Sequence, residues 1–235
     1  VRKVSEGFRR FRVMDNEGIE AGQPTAADAA LDTFASALDH LIGVVEGGGL
    51  DDYDGLRLLN FLQRFEQTRN RTALVDHRAL RTAEAVRLPQ TVGQPNLKTV
   101  LTWALRLSPV EAARRFRASE ALAEQVTMTG EPLPPERPAL AQAQREGHAS
   151  PEQVDICLRA LEKVDHRGFD PADPSTGSGQ ALEAADKLLA QFATTFAPKQ
   201  LHLLAHQVVD RIDPDGDVPQ EQLNADRRQD RKSVV

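Results

Sequence analysis

The sequence predicts an all-α protein, and three observations carry that reading. Alanine is the commonest residue, with 31 copies against 11 aromatics, a balance that favours helix over sheet. Apolar residues recur at spacings of three and four along most of the chain. Three segments open on a small residue followed by proline, with Glu or Gln two positions after the proline, at 108–111, 150–153 and 197–200; this is the signature of a helix start. The expected architecture is an N-terminal antiparallel pair of long helices followed by a bundle of about six shorter ones.

The first helix is expected to begin at Pro24-Thr25. Ala27, Leu31, Phe34, Leu38, Leu41 and Val45 then line one face, and Gly47-Gly48-Gly49 ends it. A longer helix is expected over 51–87. Its uncharged positions 58, 61, 65, 68, 72, 75, 79, 82 and 86 alternate with charged ones, and Thr68 and Thr72 make the middle of that seam weak. The short Gly-rich connection predicts that the two helices pack antiparallel along heptad-like seams. Leu88 to Pro95 reads as a break.

Shorter helices are expected at 96–106, 108–126, 134–146, 150–165, 180–196 and 198–211. The segments SPVEAARRFRASEAL, SPEQVDICLRALEKV and APKQLHLLAHQVVDR align by eye. A structural repeat is one reading, and a reused capping idiom is the simpler one. Pro132-Leu133-Pro134-Pro135 reads as a rigid connector rather than a strand.

Residues 1–23 read as a loose arm, its first twelve residues carrying a local charge of +4. A single helical domain is expected over 24–217, divided into a hairpin at 24–87 and a multi-helix part at 96–217 with a flexible loop at 168–179. A disordered tail is expected at 218–235.

Length and composition remove several classes. A chain of 235 residues with 40% hydrophobic residues can bury a core in one or two domains. One cysteine excludes an internal disulfide framework and a Cys-rich zinc site. No uncharged apolar run approaches membrane-spanning length, and no apolar stretch follows the basic N-terminus, so a cytoplasmic, membrane-free protein is expected. The net charge of −6 argues against wholesale nucleic-acid binding but leaves room for a local basic face.

The strongest candidate for such a face is a helix-turn-helix over 96–122. Its second helix carries Arg114, Arg115 and Arg117, and Lys98 and Arg106 bring the positive charges to five against Glu111 and Glu120. Such side chains neutralise phosphates and read guanine edges. The turn lacks glycine, and Arg115 is offset from the face of Arg114 and Arg117. A solvated basic face beside a core stripe of Val110, Ala113, Phe116 and Leu122 therefore stands as the alternative. Four to five phosphate contacts would give a salt slope of roughly −4.

Other chemistry finds less support. His202 and His206 share a helix face at zinc-ligand spacing, but the residue after His202 is Leu and no third ligand lies nearby in sequence; His166, with Asp165 and Asp170, is remote. Partly exposed helix histidines are expected there, with no metal. Asp213-Pro-Asp-Gly-Asp lacks the first and twelfth ligands of a calcium loop, which fall on Arg211 and Gln222. Cys157, between Ile156 and Leu158, reads as an inert buried thiol. No cofactor and no catalytic residue are assigned.

The runs LRLSPVEAARRFRASEAL (105–122), TGEPLPPERPALAQAQREGHASPEQVDICLRAL (129–161) and FAPKQLHLLAHQVVDRIDPDGD (196–217) resemble, in order and spacing, domain of unknown function 222. That domain forms the N-terminal part of many actinobacterial proteins with an HNH endonuclease signature, including the mycobacterial 13E12 repeat proteins. The resemblance is firmest over 96–217. It implies association with DNA and with mobile or repeated elements, while the nuclease chemistry would belong to a C-terminal His-Asn-His module with a divalent metal. No paired histidine cluster follows His206, so this chain is expected to be a short copy, a remnant or an N-terminal part without that module. A non-catalytic DNA-associated module is the leading expectation. The alternative is a protein-interaction or homo-oligomerising module, in which a second subunit covers the uncharged stripe from Leu58 to Val86.

Overall fold

A computed structural model describes residues 24–126, 131–167 and 178–212. The expected arm at 1–23, most of the loop at 168–179 and the tail from 213 lie outside the described residues. Its contacts divide the chain into two compact units, with the boundary after Asn60, inside the long helix.

The all-α class holds. Helix α1 spans Ala26–Glu46, α2 Gly55–Ala85, α3 Leu88–Thr91, α4 Leu97–Ala104 and α5 Pro109–Leu122. After a small ladder come α6 Pro138–Arg145, α7 Pro151–Arg167, α8 Ser178–Thr195 and α9 Pro198–Ile212. Among the described residues no helix is long and apolar enough to cross a membrane. Two sequence expectations need correction here. The expected break contains the short α3, with Pro89 in its first turn. The stretch expected to be a connector holds strand β2 (Pro132–Leu133), which pairs antiparallel with β1 (Gln125–Val126) in the register Gln125↔Leu133 and Val126↔Pro132. A two-residue edge tolerates proline because no second neighbour needs its missing N–H.

Unit 1 holds α1 and the first turns of α2. Thr25 caps α1 through a reciprocal box with Asp28. Gly47 closes the helix, and Gly48 follows at φ +86, the left-handed region that favours glycine. The expected apolar face is present, yet no residue of α1 is buried, and Leu31 is 63% exposed. Within this unit the seam that was expected to close between two packed helices is therefore open.

Unit 2 carries the core. Leu140, Val154, Cys157, Leu161, Leu189, Leu201 and Ala205 interlock across α6, α7, α8 and α9. A smaller cluster of Leu80, Leu97, Val100, Leu101 and Ala112 joins α2, α4 and α5. The proline-marked starts work as the sequence predicts, with graded completeness. Ser108 accepts from the Glu111 N–H at 3.1 Å. Ser150 and Gln153 form a full reciprocal box at 3.2 and 2.9 Å. Ala197 donates its N–H to Gln200 Oε1 at 3.3 Å and returns nothing, having no side-chain acceptor. The Gln153 amide also donates to the carbonyls of Ala193 and Phe196, both at 2.8 Å, and so ties the end of α8 to the start of α7.

The start of α6 lacks a local side-chain cap. Buried Asp186 of α8 supplies one instead, accepting from the N–H groups of Ala139 at 2.9 Å and Leu140 at 3.3 Å. Burial raises its carboxyl above the usual range even though these two donors favour the charged form.

Candidate functional site

The arginine-rich helix α5 is positioned by Ser108 and Pro109 at its start and by Leu122 and buried alanines along its inner side. That inner side runs through Ala112, Ala118, Ala121 and Leu122. The stripe expected from sequence also ran through Val110, which is exposed, and through Ala113 and Phe116, which are half-buried. The true face is rotated: three alanines, too small to stand out in a hydropathy pattern, are buried along it with Ser119 and Leu122.

The arginines of α5 are engaged by carboxylates of their own and neighbouring helices. Arg114 pairs with Glu111 at 2.7 Å. Arg115 holds Glu111 at 2.8 Å and reaches Asp76 of α2 at 2.9 Å. Arg117 bridges Asp155 and Glu162 of α7. Burial alone would raise the Glu111 carboxyl, but hydrogen bonds and charge from Arg114 and Arg115 hold it below the usual range. The Glu111 hydrogen bond is the main reason that Arg115 is raised further above its ordinary value. The other two residues of the expected basic face stand apart from this network. Lys98 lies over the Phe116 ring, 4.6 Å from its centroid. Arg106 is exposed in the turn between α4 and α5, with φ at +57. The structure thus brings Arg114 and Arg115 together on Glu111, sends Arg117 to α7, and leaves Arg106 in solvent.

The second arginine-rich surface is the outward side of α2. Of the uncharged stripe from Leu58 to Val86, all but half-buried Phe61 is exposed. Val75 is 70% exposed. The helix turns its opposite side inward, burying Asn70, His77 and Leu80. That reverses the facing expected from sequence, and the reason is polar. Asn70 Nδ2 donates to the Gly147 carbonyl at 2.9 Å, and Asp76 meets Arg115, so polar groups on the inner side are satisfied by distant partners. Gly147 makes this approach possible. Its φ is +81, and a Cβ there would lie 2.4 Å from the carbonyl oxygen of Gln67.

On the outward side, Arg64, Arg71 and Arg78 recur every seven residues, about 10.5 Å apart along the helix. None has an ion-pair partner among the described residues. The acidic residues of this part of α2 are occupied elsewhere: Glu66 with Arg69, Glu84 with Arg81, and Asp76 with Arg115. The Thr68 and Thr82 hydroxyls donate to their own helix, to the carbonyls of Arg64 and Arg78 at 2.9 Å. The face is therefore a band of Val, Ala and Thr methyls beside a column of free guanidinium groups. The spacing of those arginines was legible in the sequence, but their freedom was not.

The other candidates are soon placed. His202 and His206 are exposed on α9, and His206 Nδ1 lies 3.1 Å from Asp210 Oδ2. Among the described residues no group of three or more His, Cys, Asp or Glu could hold a metal ion. The His166 side chain and the acidic run beyond Asp210 lie outside the described residues. Cys157 is buried among apolar neighbours, which pushes its thiol up to about 12.

The model of domain of unknown function 222 matches residues 59–234. An uncharacterized protein of Mycobacterium bovis, Mb1179c, is 33% identical over 188 residues, covering 80% of this chain and 38% of the relative. The uncharacterized protein Rv1945 of Mycobacterium tuberculosis shows the same figures. Rv1702cMb1728c, also of Mycobacterium tuberculosis, is 32% identical over 209 residues, 89% of this chain and 42% of the relative. The chain spans about two fifths of the length of these relatives. No solved structure matches it.

Proposed function

We propose, for a chain that belongs to the family of domain of unknown function 222, that it serves as a non-catalytic docking module, and that the outward side of α2 is its contact face. The observation that carries this reading is the exposure of the stripe Phe65, Thr68, Thr72, Val75, Ala79, Thr82 and Val86. A row of small and apolar side chains along several turns of one helix is the surface on which a partner helix packs. Unit 1, taken by itself, offers a second uncovered apolar face along Leu31, Phe34, Leu38 and Ile42. Self-association is the simplest form of such docking. Sedimentation of the purified chain at high micromolar concentration tests it: a concentration-dependent dimer that Val75→Glu abolishes supports the reading, and a monomer throughout removes self-association.

A second reading, association with DNA, is favoured by the free arginine column. Arg64, Arg71 and Arg78 can each neutralise a phosphate, whereas Arg114, Arg115 and Arg117 already face carboxylates. Three contacts would give a salt slope of about −3 on duplex DNA. Binding measured from roughly 50 to 200 mM salt, in the native chain and in the triple variant Arg64→Ala/Arg71→Ala/Arg78→Ala, decides it. Loss in the triple variant assigns the contact to α2. Unchanged binding there, with loss in Arg106→Ala or Lys98→Ala, returns it to the turn before α5.

A further inference from the structure

The arginine column on α2 bears on which helix can pack beside it. Phe65, Thr68, Thr72, Val75, Ala79 and Thr82 alternate at steps of three and four, so they occupy the two seam positions of a seven-residue repeat. Arg64, Arg71 and Arg78 each stand one residue before a seam position, at the same flanking place in successive repeats. The seam can be covered at little polar cost. The hydroxyls of Thr68, Thr72 and Thr82 already donate to the carbonyls of Arg64, Arg69 and Arg78 at 2.9, 2.7 and 2.9 Å, so a partner that excludes water there orphans no donor.

The two flanks of this seam differ. One is taken up by the protein itself: Arg69 pairs with Glu66 at 2.8 Å, Asp76 pairs with Arg115 at 2.9 Å, and Ala83 packs against the smaller core cluster. The other holds the three arginines, exposed and without ion-pair partners among the described residues. Charges at the flanking positions of a heptad seam set the choice and orientation of its partner. A second copy of α2 answers them poorly. Laid antiparallel, its arginine column lies against this one. Laid parallel, the column faces Arg69, Asp76 and Ala83, and the one carboxylate among them is already held by Arg115. A phosphate backbone would use the guanidinium groups and leave the methyl band in water. A helix with an apolar seam and a carboxylate at the flanking place of each repeat uses both.

We propose that the outward side of α2 is the docking site of an acidic amphipathic helix, one that sets Asp or Glu every seven residues opposite Arg64, Arg71 and Arg78. The inference rests on the docking reading above and narrows the partner from any helix, a second copy included, to one of opposite charge. The chain as a whole carries a net charge of −6, so general attraction does not draw an acidic helix to it, and the local column must supply the preference.

The test uses two fluorescent synthetic peptides of about three heptads, both with Leu at the seam positions, one with Glu and the other with Lys at the flanking positions. Each is titrated with the full chain by anisotropy at low salt, where exposed charges are least screened. The Glu peptide should bind saturably and about tenfold or more tightly than the Lys peptide. The variant Arg64→Glu/Arg71→Glu/Arg78→Glu should reverse that order, and the comparison of the two peptides on the unaltered chain does not depend on the variant folding. Equal binding of both peptides overturns the inference and leaves the docking reading standing, because the seam then takes helices without regard to charge. Failure of both peptides in a chain that dimerises through Val75 overturns it in favour of a second copy. Failure of both in a chain that stays monomeric removes the docking reading too. Failure of the Glu peptide, with duplex DNA binding that is lost in Arg64→Ala/Arg71→Ala/Arg78→Ala, gives the column to phosphates and overturns it as well.

Discussion

Helices α2 and α5 are both rich in arginine, and they use it in opposite ways. On α5, Arg114, Arg115 and Arg117 are each met by carboxylates and hold the helix to α2 and α7. On α2, Arg64, Arg71 and Arg78 stand on the side turned away from the core with no ion-pair partner among the described residues. A sequence records charge; availability depends on where the opposite charges fall after folding. Asp76, Asp155 and Glu162 are 39, 38 and 45 residues from the arginines they meet, so a local reading around α5 counts its positive charge as free.

The contrast can be broken first from the buried side of α2. His77 is neutral because burial lowers it from 6.5 to about 4. Between those values the unfolded chain binds a proton that the folded chain refuses, so stability is full above 6.5 and falls as pH drops towards 4. The loss should reach about 3 kcal/mol. Denaturant titrations at stepped pH should show that slope, and His77→Gln should remove it. Asp186 contributes with the opposite sign, because a raised carboxyl pKa favours the folded state as pH falls through the carboxylate range. Next in size is Gly147→Ala. A Cβ driven against the Gln67 carbonyl at a positive φ should destabilise by about 2 kcal/mol or more, and it should release the Asn70 contact, seen as faster amide exchange along α2.

Asp155→Ala probes the α5 side. It leaves Arg117 with Glu162 alone and frees Arg159, and a loss of about 1–2 kcal/mol in thermal or chemical unfolding is expected. Ser108→Ala removes the cap of the same helix and should cost about 1 kcal/mol. The smallest effect belongs to the outward side of α2. Arg71→Ala should change stability by no more than about 0.5 kcal/mol, because no partner is lost. A larger loss would show that the column is structural and would erase the contrast between the two helices.

Much of the fold was legible because helix starts are written locally. Thr25 with Asp28, Ser108 with Pro109, and Ser150 with Gln153 all sit within four residues of one another, and the structure uses each of them. The facing of α2 was not legible. Its uncharged stripe looked like core, while its true inner side carries Asn70, Asp76 and His77. Asn70 and Asp76 are tolerable on that side through Gly147 and Arg115, which the chain supplies much later. The cap on α6 was hidden for the same reason, since Asp186 lies 47 residues from Ala139.

The Gln153 side chain has a kinetic consequence. Its oxygen accepts the Ser150 N–H while its nitrogen donates to the carbonyls of Ala193, in the last turn of α8, and of Phe196 just after it, so one amide group closes two helix ends at once. Fraying of the first turn of α7 releases the final turn of α8 in the same event. The two ends should therefore exchange their amide protons at a common rate, as one opening unit, although Gln153 and Ala193 are 40 positions apart in the chain.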